Sequence, residues 1–283
     1  MRIDLHTHST ASDGTDSPAE LVAAAGAAEL DVVAVTDHDT TAGWSEAVAA
    51  RPSGVALVRG MEMSCTGRGD DGFPVAVHLL AYLFDPSHDA FAAERERLRE
   101  ERVWRILEMA ARMSAAGLPV DGERIVDEAG PSVGRPHLAR ALIDAGIVPS
   151  IDAAFAGPLS RTSPYFVDKH DTRLSRAVDL VVASGGVAVV AHPRARARGR
   201  LLAVAEIREL AERGLGGVEV FHPDHTAADV DMLVRLAREL DLVTTGSSDY
   251  HGTNKSVRLG DFTTPPDQFA AIEAAATGVP VVR

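Results

Sequence analysis

The chain is 283 residues long, 46% hydrophobic and 24% charged, which supplies enough apolar material for a sizeable core and excludes a disordered or membranous chain. Its formal net charge of −13 is the wrong sign for a protein that grips duplex nucleic acid through a broad basic surface, though it leaves room for a small anion drawn to metal ions. No apolar run is long enough to span a bilayer, and the single cysteine, Cys65, excludes internal disulfides, fits a reducing compartment and reads as a small buried hydrophobe.

Residues 2–5 make a short apolar strand that runs into His6, Thr7 and His8, with Asp13 just beyond. An export signal needs a basic segment and a longer apolar run than this, so the protein is expected in the cytoplasm. Ser17 as N-cap and Pro18 at the first helical position open a helix through residues 21–30. A β-branched strand, 32–36, leads to Asp37, His38 and Asp39, followed by a helix over 40–50 and a strand over 56–64 that contains Glu62. The Gly- and Asp-rich stretch 67–72 joins that strand to another over 75–83, which carries His78, and the two are predicted to form an antiparallel hairpin.

From 87 to 164 the alternation stops. Residues 89–116 form a long charged helix whose Glu- and Arg-rich part, 92–105, has the spacing of a solvated face, and shorter helices follow at 122–129, 136–145 and 151–155. Alternation resumes with a helix at 174–184, a strand at 187–191 ending in His192, a helix at 203–213, a strand at 217–221, a helix at 227–240 and a strand at 242–246 leading to Asp249 and His251. Helices between strands imply a mostly parallel sheet, and seven strands with polar residues at their C-terminal ends imply an α/β barrel with its site at that face. The barrel is assigned to 1–86 and 165–283. Residues 87–164 are read as a helical insertion between two ligand-bearing strands, placed to cover the barrel mouth.

Six histidines and three acids, His6, His8, Asp13, His38, Glu62, His78, His192, Asp249 and His251, thus sit at or beside strand ends. Residues i and i+2 of a strand share a face, so His6 and His8 present two imidazoles to one point, and Asp249 with His251 repeats the spacing. Each residue alone is an ordinary hydrogen-bonded side chain. Together they are numerous enough to hold several metal ions. Imidazole with carboxylate suits zinc, manganese or iron, and the lack of thiolates argues against a structural zinc knuckle.

These motifs, in this order, resemble the PHP family, named for polymerase and histidinol phosphatase domains. The matching stretches are Asp4-Leu5-His6-Thr7-His8-Ser9, Thr36-Asp37-His38-Asp39-Thr40, Gly60-Met61-Glu62, Val77-His78-Leu79-Leu80-Ala81-Tyr82, Ala191-His192-Pro193 and Gly246-Ser247-Ser248-Asp249-Tyr250-His251-Gly252. The resemblance implies a distorted seven-stranded (β/α)7 barrel with two or three divalent ions. It gives the first ion to His6, His8, Glu62 and Asp249, the second to a shared Glu62 with His78 and His192, and the third to Asp13, His38 and His251. Some members place a histidine where Asp13 stands, so the third site here is richer in oxygen, which leans towards manganese, with zinc or iron as alternatives.

Gly134-Arg135-Pro136-His137-Leu138-Ala139-Arg140 and Glu219-Val220-Phe221-His222-Pro223-Asp224-His225 look like the branch of 3′,5′-nucleoside bisphosphate phosphatases and short-RNA 5′ exonucleases. The resemblance therefore implies metal-dependent hydrolysis of a small phosphorylated substrate, such as a 3′,5′-nucleoside bisphosphate cut to its 5′-monophosphate, or of the 5′ end of short RNA. Ions sharing a carboxylate acidify water, so no protein nucleophile is needed, and the Ser and Thr residues of the motifs read as strand-end caps. Glu62 and Asp249 then carry the chemistry, while His222, at a strand end, either meets the leaving group or phosphate or is simply hydrogen-bonded.

Arg135 and His137 flank Pro136 at a helix start, where an anion is favoured by free N–H groups; a surface ion pair and a cap are the plainer alternative. Arg194 opens the run Arg194, Arg196, Arg198, Arg200 after His192, either as a second phosphate contact or as part of a solvated loop. Lys169 and Tyr165 stand where the insertion rejoins the barrel and could contact phosphate and base. Histidinol phosphate hydrolysis is the alternative in the same class, disfavoured by the Gly-Arg motif. Amide or lactone hydrolysis also fits such a centre, and a non-catalytic metal-stabilised module is disfavoured by the complete ligand set.

Overall fold

The computed structural model describes residues 1–196 and 199–283. In chain order its elements are β1 (Ile3–Asp4), α1 (Pro18–Ala27), β2 (Val32–Val35), α2 (Trp44–Ala50), β3 (Ala56–Arg68), β4 (Pro74–Tyr82), α3 (Asp89–Ala115), α4 (Gly122–Glu128), α5 (Arg135–Asp144) and α6 (Ile151–Ala156). There follow β5 (Thr172–Arg173), α7 (Leu174–Ala183), β6 (Val187–Val190), α8 (Val204–Ala211), β7 (Gly217–Phe221), α9 (Ala227–Glu239), β8 (Val243–Gly246) and α10 (Pro266–Ala275).

Seven strands run in the order β1-β2-β3-β4-β6-β7-β8. Past β1 and β8, Thr7 bridges to Tyr250 and the His8 N–H donates to the Tyr250 carbonyl at 2.8 Å, which draws the edges into a nearly closed barrel. The α/β barrel expected from the strand pattern is thus the fold observed. The predicted hairpin is present as well: β3 and β4 pair antiparallel with Ser64 opposite His78. Because β4 runs against its neighbours on both sides, it brings its middle, where His78 lies, to the level at which parallel strands bring their C-terminal ends.

Alternation sorts the side chains. Val32 and Ala34 join Ile3, Leu5, Leu80, Val187 and Val189 in one buried cluster. Val33 and Val35 point the other way, into a cluster shared with Leu21, Trp44, Val178 and Leu233 of the surrounding helices. Buried on both faces, β2 and β6 are unbroken apolar runs, as helix-flanked parallel strands are.

At the start of α1 the Ser17 hydroxyl accepts the Glu20 N–H and the Glu20 carboxylate accepts the Ser17 N–H at 2.8 Å, a reciprocal cap that fixes where the helix begins. Helix α2 starts four residues later than the sequence predicts. Asp39 turns in the left-handed region with φ 55° and the Thr40 hydroxyl accepts the Ala42 N–H, so the intervening residues make a turn instead. Among the described residues the sequence does not anticipate the two-residue β5, paired with the far end of β3, a 3-10 turn at Gly252–Asn254, or α10, whose Phe269 and Ile272 join the inner barrel cluster. Helices α3 to α6 pack around their own apolar cluster, including Met109, Leu138, Leu142 and Leu159. Among the described residues no helix is long and apolar enough to cross a membrane.

Candidate metal centre

His6 and His8 leave β1 side by side, with their Nε2 atoms 3.0 Å apart. Both nitrogens stand 3.2 Å from Glu62 Oε2 and 3.5 Å from Asp249 Oδ1. The other oxygen of Glu62, Oε1, lies 2.7 Å from His78 Nδ1 and 2.9 Å from His192 Nε2. One carboxylate therefore serves two donor groups with its two oxygens. Beside them, Asp13 lies 3.4 Å from His251 Nε2 and 3.7 Å from His38 Nε2 and His8 Nδ1. All nine residues picked from the sequence meet in one place, and all but His78 are buried.

Backbone geometry aims these groups. Asp249 and His192 adopt positive φ (53° and 27°), unusual for residues with a side chain, so each turns sharply at its strand end. Gly14 packs so closely on the His8 carbonyl that a Cβ there would collide with it, which lets the loop carrying Asp13 fold back over His8. Two imidazole nitrogens facing each other beside carboxylate oxygens, with a buried His38 Nδ1 that stands 3.1 Å from Glu62 Oε2 but outside hydrogen-bond geometry, are poorly satisfied as neutral polar atoms. Divalent cations would satisfy them, and the donor set fits.

Behind the donors lies a layer that holds them. Glu219 Oε1 is 3.1 Å from His6 Nδ1 and accepts from the Ser247 hydroxyl, while Oε2 accepts the His192 N–H at 2.8 Å. This fixes the His6 proton on Nδ1 and leaves Nε2 for a metal. His6, His192 and Glu219 are close enough to be taken for a separate ion site. Since both Glu219 oxygens are already hydrogen-bond acceptors, an orienting role accounts for the cluster. His251 Nδ1 likewise donates to the Asp249 carbonyl at 2.8 Å. Asp37 accepts from the Ser9 N–H, the Ser9 hydroxyl and the Ser12 hydroxyl, which ties the segment after β1 to the one after β2.

Charge in the donor set is strongly displaced. Burial pushes Glu62 towards its neutral form, but His78, His6 and His38 override this and hold it well below the ordinary carboxylate range. Burial lowers His8, yet Asp249 and Glu62 raise it to about 9. A histidine whose pKa is raised on folding stabilises the fold below about 6.5, its unfolded value, and loses that contribution as pH climbs through the folded value. Chelated protein should therefore melt at progressively lower temperature between pH 6.5 and 9, while protein saturated with manganese, whose binding displaces those protons, should not. Parallel melting curves with and without chelator test this, and identical pH profiles would contradict it.

The PHP domain family matches residues 4–119. The chain is 34% identical over 260 residues to a 3′,5′-nucleoside bisphosphate phosphatase of Chromobacterium violaceum, covering 90% of this chain and 89% of the relative. This chain belongs to the PHP family. It is also 34% identical to a 5′-3′ exoribonuclease of Haemophilus influenzae, over 92% of this chain and 93% of that one. A phosphoribosyl 1,2-cyclic phosphate 1,2-diphosphodiesterase of Eggerthella lenta is 36% identical, over 88% and 94%. A solved structure of a proposed metal-dependent phosphoesterase from Bifidobacterium adolescentis superposes with a TM-score of 0.89 at 32% identity, covering 97% of this chain and 96% of the other. This PHP protein is a metal-dependent phosphoesterase.

A cavity of about 710 Å3 opens over the centre, lined by Asp13, His38, His78, His192 and His251 on one side and by residues of α3, α5 and the following loop on the other. Of the substrate candidates, Arg135 and Lys169 line it. The other four do not line it. His137 accepts the Gly134 N–H at 3.0 Å as a helix cap, Tyr165 packs against the helical cluster, and Arg194 faces Asp229 and the Leu202 carbonyl. Arg198 lies outside the described residues. His222 sits behind the metal ligands, its Nδ1 accepting the Asp224 N–H and its Nε2 3.3 Å from Asp249 Oδ2.

Sequence reasoning did not find the inward-facing cations of α3. Arg102 donates to Asp39 at 2.5 Å and to Ser64 at 2.9 Å, and both ends of the ion pair are buried. Arg105 joins Arg135 and Arg161 around the ring of Phe166, with guanidinium carbons 5.0, 5.7 and 5.4 Å from its centroid. Arg105 and Arg135 form no ion pair among the described residues; burial and then Arg135 pull Arg105 down to about 9, and burial and then Arg161 and Arg102 pull Arg135 down to about 10. All three arginines line the cavity. The solvated-face reading of residues 92–105 thus holds for part of the helix and fails for the side that meets the barrel.

Proposed function

We propose that this protein removes a phosphate from a small nucleotide carrying two phosphates, such as a 3′,5′-nucleoside bisphosphate, and that the centre holds two or three divalent ions, manganese foremost. The observation that carries this reading is one cavity with a cation-binding His and carboxylate cluster at one end, which would attract phosphate once it holds divalent ions, and the Arg105, Arg135 and Arg161 trio at the other. In a chain with a net charge of −13, that local excess of arginine favours an anionic ligand. The second substrate to test is short RNA, the chemistry named for the exoribonuclease relative.

His6, His8, Glu62 and Asp249 would hold one ion, Glu62 with His78 and His192 a second, and Asp13, His38 and His251 a third. Bound there, divalent ions supply Lewis acidity towards phosphoryl oxygen and acidify water. Glu62 and Asp249 keep the reacting end in register, and His222 fixes the direction of Asp249. Arg135, with its neighbours, binds the phosphate that does not react; Lys169 is held beside this end by Asp171. Residues 87–164 act as the substrate-selecting cover, and the barrel performs the chemistry.

Phosphate release from a panel of nucleoside bisphosphates, mononucleotides, histidinol phosphate and an aryl phosphate, and nucleotide release from short RNA, with added manganese, test the reading; preference for histidinol phosphate would overturn it. Within that panel, Arg135→Ala should lower kcat/KM for a bisphosphate by about 2 to 3 kcal/mol, the scale of a charge-assisted hydrogen-bonded contact, with metal content intact. The loss should be at least tenfold larger on the bisphosphate than on the aryl phosphate. Equal losses on both would place Arg135 in the support of the fold.

A further inference from the structure

Lys255 belongs to none of the roles above, yet its Nζ lies 2.5 Å from Oδ2 of Asp249, and it lines the cavity. The opposite oxygen of the same carboxylate, Oδ1, faces the Nε2 atoms of His6 and His8. The backbone beneath Lys255 is held from both sides: the Asn254 amide donates to the Asp13 carbonyl at 2.9 Å and accepts from Arg140 at 3.1 Å. Gly252, at φ 64°, makes the turn where a Cβ would strike the Thr15 hydroxyl. The anchor is fixed, while the lysine side chain is one-third exposed and carries a flexible four-carbon stem.

A dication on Oδ1 and an ammonium on Oδ2 repel across one carboxylate, so the two compete for Asp249. Once ions occupy the centre, a phosphate in the cavity that Lys255 already lines is an anion able to take the ammonium. We propose that Lys255 has two stations: counter-ion to Asp249 while the first metal position is empty, and ligand to the reacting phosphate once the ions are bound. This rests on the phosphoesterase reading of the centre, and it adds a phosphate-binding residue to it. A lysine that merely supports Asp249 would, on removal, weaken metal and phosphate binding together. A lysine with two stations gives effects of opposite sign.

The test is calorimetric titration of wild type, Lys255→Met and Lys255→Arg, first with manganese into chelated protein and then with inorganic phosphate into manganese-saturated protein. Lys255→Met should bind manganese at least threefold more tightly and inorganic phosphate at least tenfold more weakly, and Lys255→Arg should keep phosphate affinity within threefold of wild type. Weaker binding of both ligands by the methionine variant, unchanged manganese affinity, or tighter manganese with unchanged phosphate affinity would each overturn the proposal. Ester hydrolysis by the wild type is measured separately. An inert wild type would sink the phosphoesterase reading while the two titrations still decide the role of Lys255.

Discussion

Glu62→Gln should abolish turnover. Its two oxygens are divided between two donor groups, Oε2 facing His6 and His8 and Oε1 facing His78 and His192, so one substitution removes a charge from both. Glutamine keeps the size but offers one weak carbonyl oxygen and an NH2 that cannot ligate, and a second ion cannot replace a shared carboxylate. We expect kcat/KM to fall on the order of 10³-fold or more, about 4 kcal/mol, with reduced metal content at both positions. In the metal-free protein the variant also strips His6 and His8 of a counter-charge, so it should melt lower below pH 7 than chelated wild type. Kinetics and elemental analysis on the same preparation check this; near-normal turnover with full occupancy would contradict the shared role.

The second large effect is on stability. Arg102 and Asp39 form an ion pair with side chains 8% and 0% exposed, and Asp39 also accepts from the Ser64 N–H and hydroxyl at 2.7 Å each. Arg102→Met leaves Asp39 buried without its main counter-charge, which costs about 3 to 5 kcal/mol in comparable sites; the two serine bonds and nearby Lys169 put the expectation at about 3. Burial opposes the charge on Asp39, but Arg102 and then Lys169 hold its pKa well below the ordinary range of about 4. A depressed carboxylate pKa stabilises the fold above about pH 4, and that contribution is lost as pH falls towards the folded value. The gap between wild type and variant in chemical denaturation should thus be full at pH 7 and narrow in acid. Arg102→Met combined with Asp39→Asn should recover part of the loss; no recovery would show that packing, not charge, dominates.

Much of the centre was legible because its donors follow strands, and strand periodicity tells which residues share a face. His6 with His8, and Asp249 with His251, announce themselves by spacing. Glu219 does not: it is one acid inside Gly217–Phe221 with no partner at i+2, and its meaning comes from His6, more than 200 residues away. The arginines of α3 were hidden by composition. Phe91, Arg95, Leu98, Arg102, Ile106, Met109 and Met113 form one buried stripe at helical spacing, so two arginines occupy positions an apolar residue would fill. That stripe, rather than the number of charges, is the signal for Arg102; Arg105 lies outside it. His137, Tyr165 and Arg194 are near the site in sequence, but their direction depends on caps and loop contacts that spacing does not encode.

If ions held by these nine residues support hydrolysis of a phosphate ester, metal content and phosphate release rise and fall together, and following both in one preparation is the most direct measurement. Purified protein is analysed for metals and assayed on a nucleoside bisphosphate, stripped by exhaustive chelation, assayed again, and titrated with manganese. Two or three ions per chain, loss of phosphate release on stripping and its return in step with occupancy are the predicted result. Full activity in protein shown to be free of metal would contradict it.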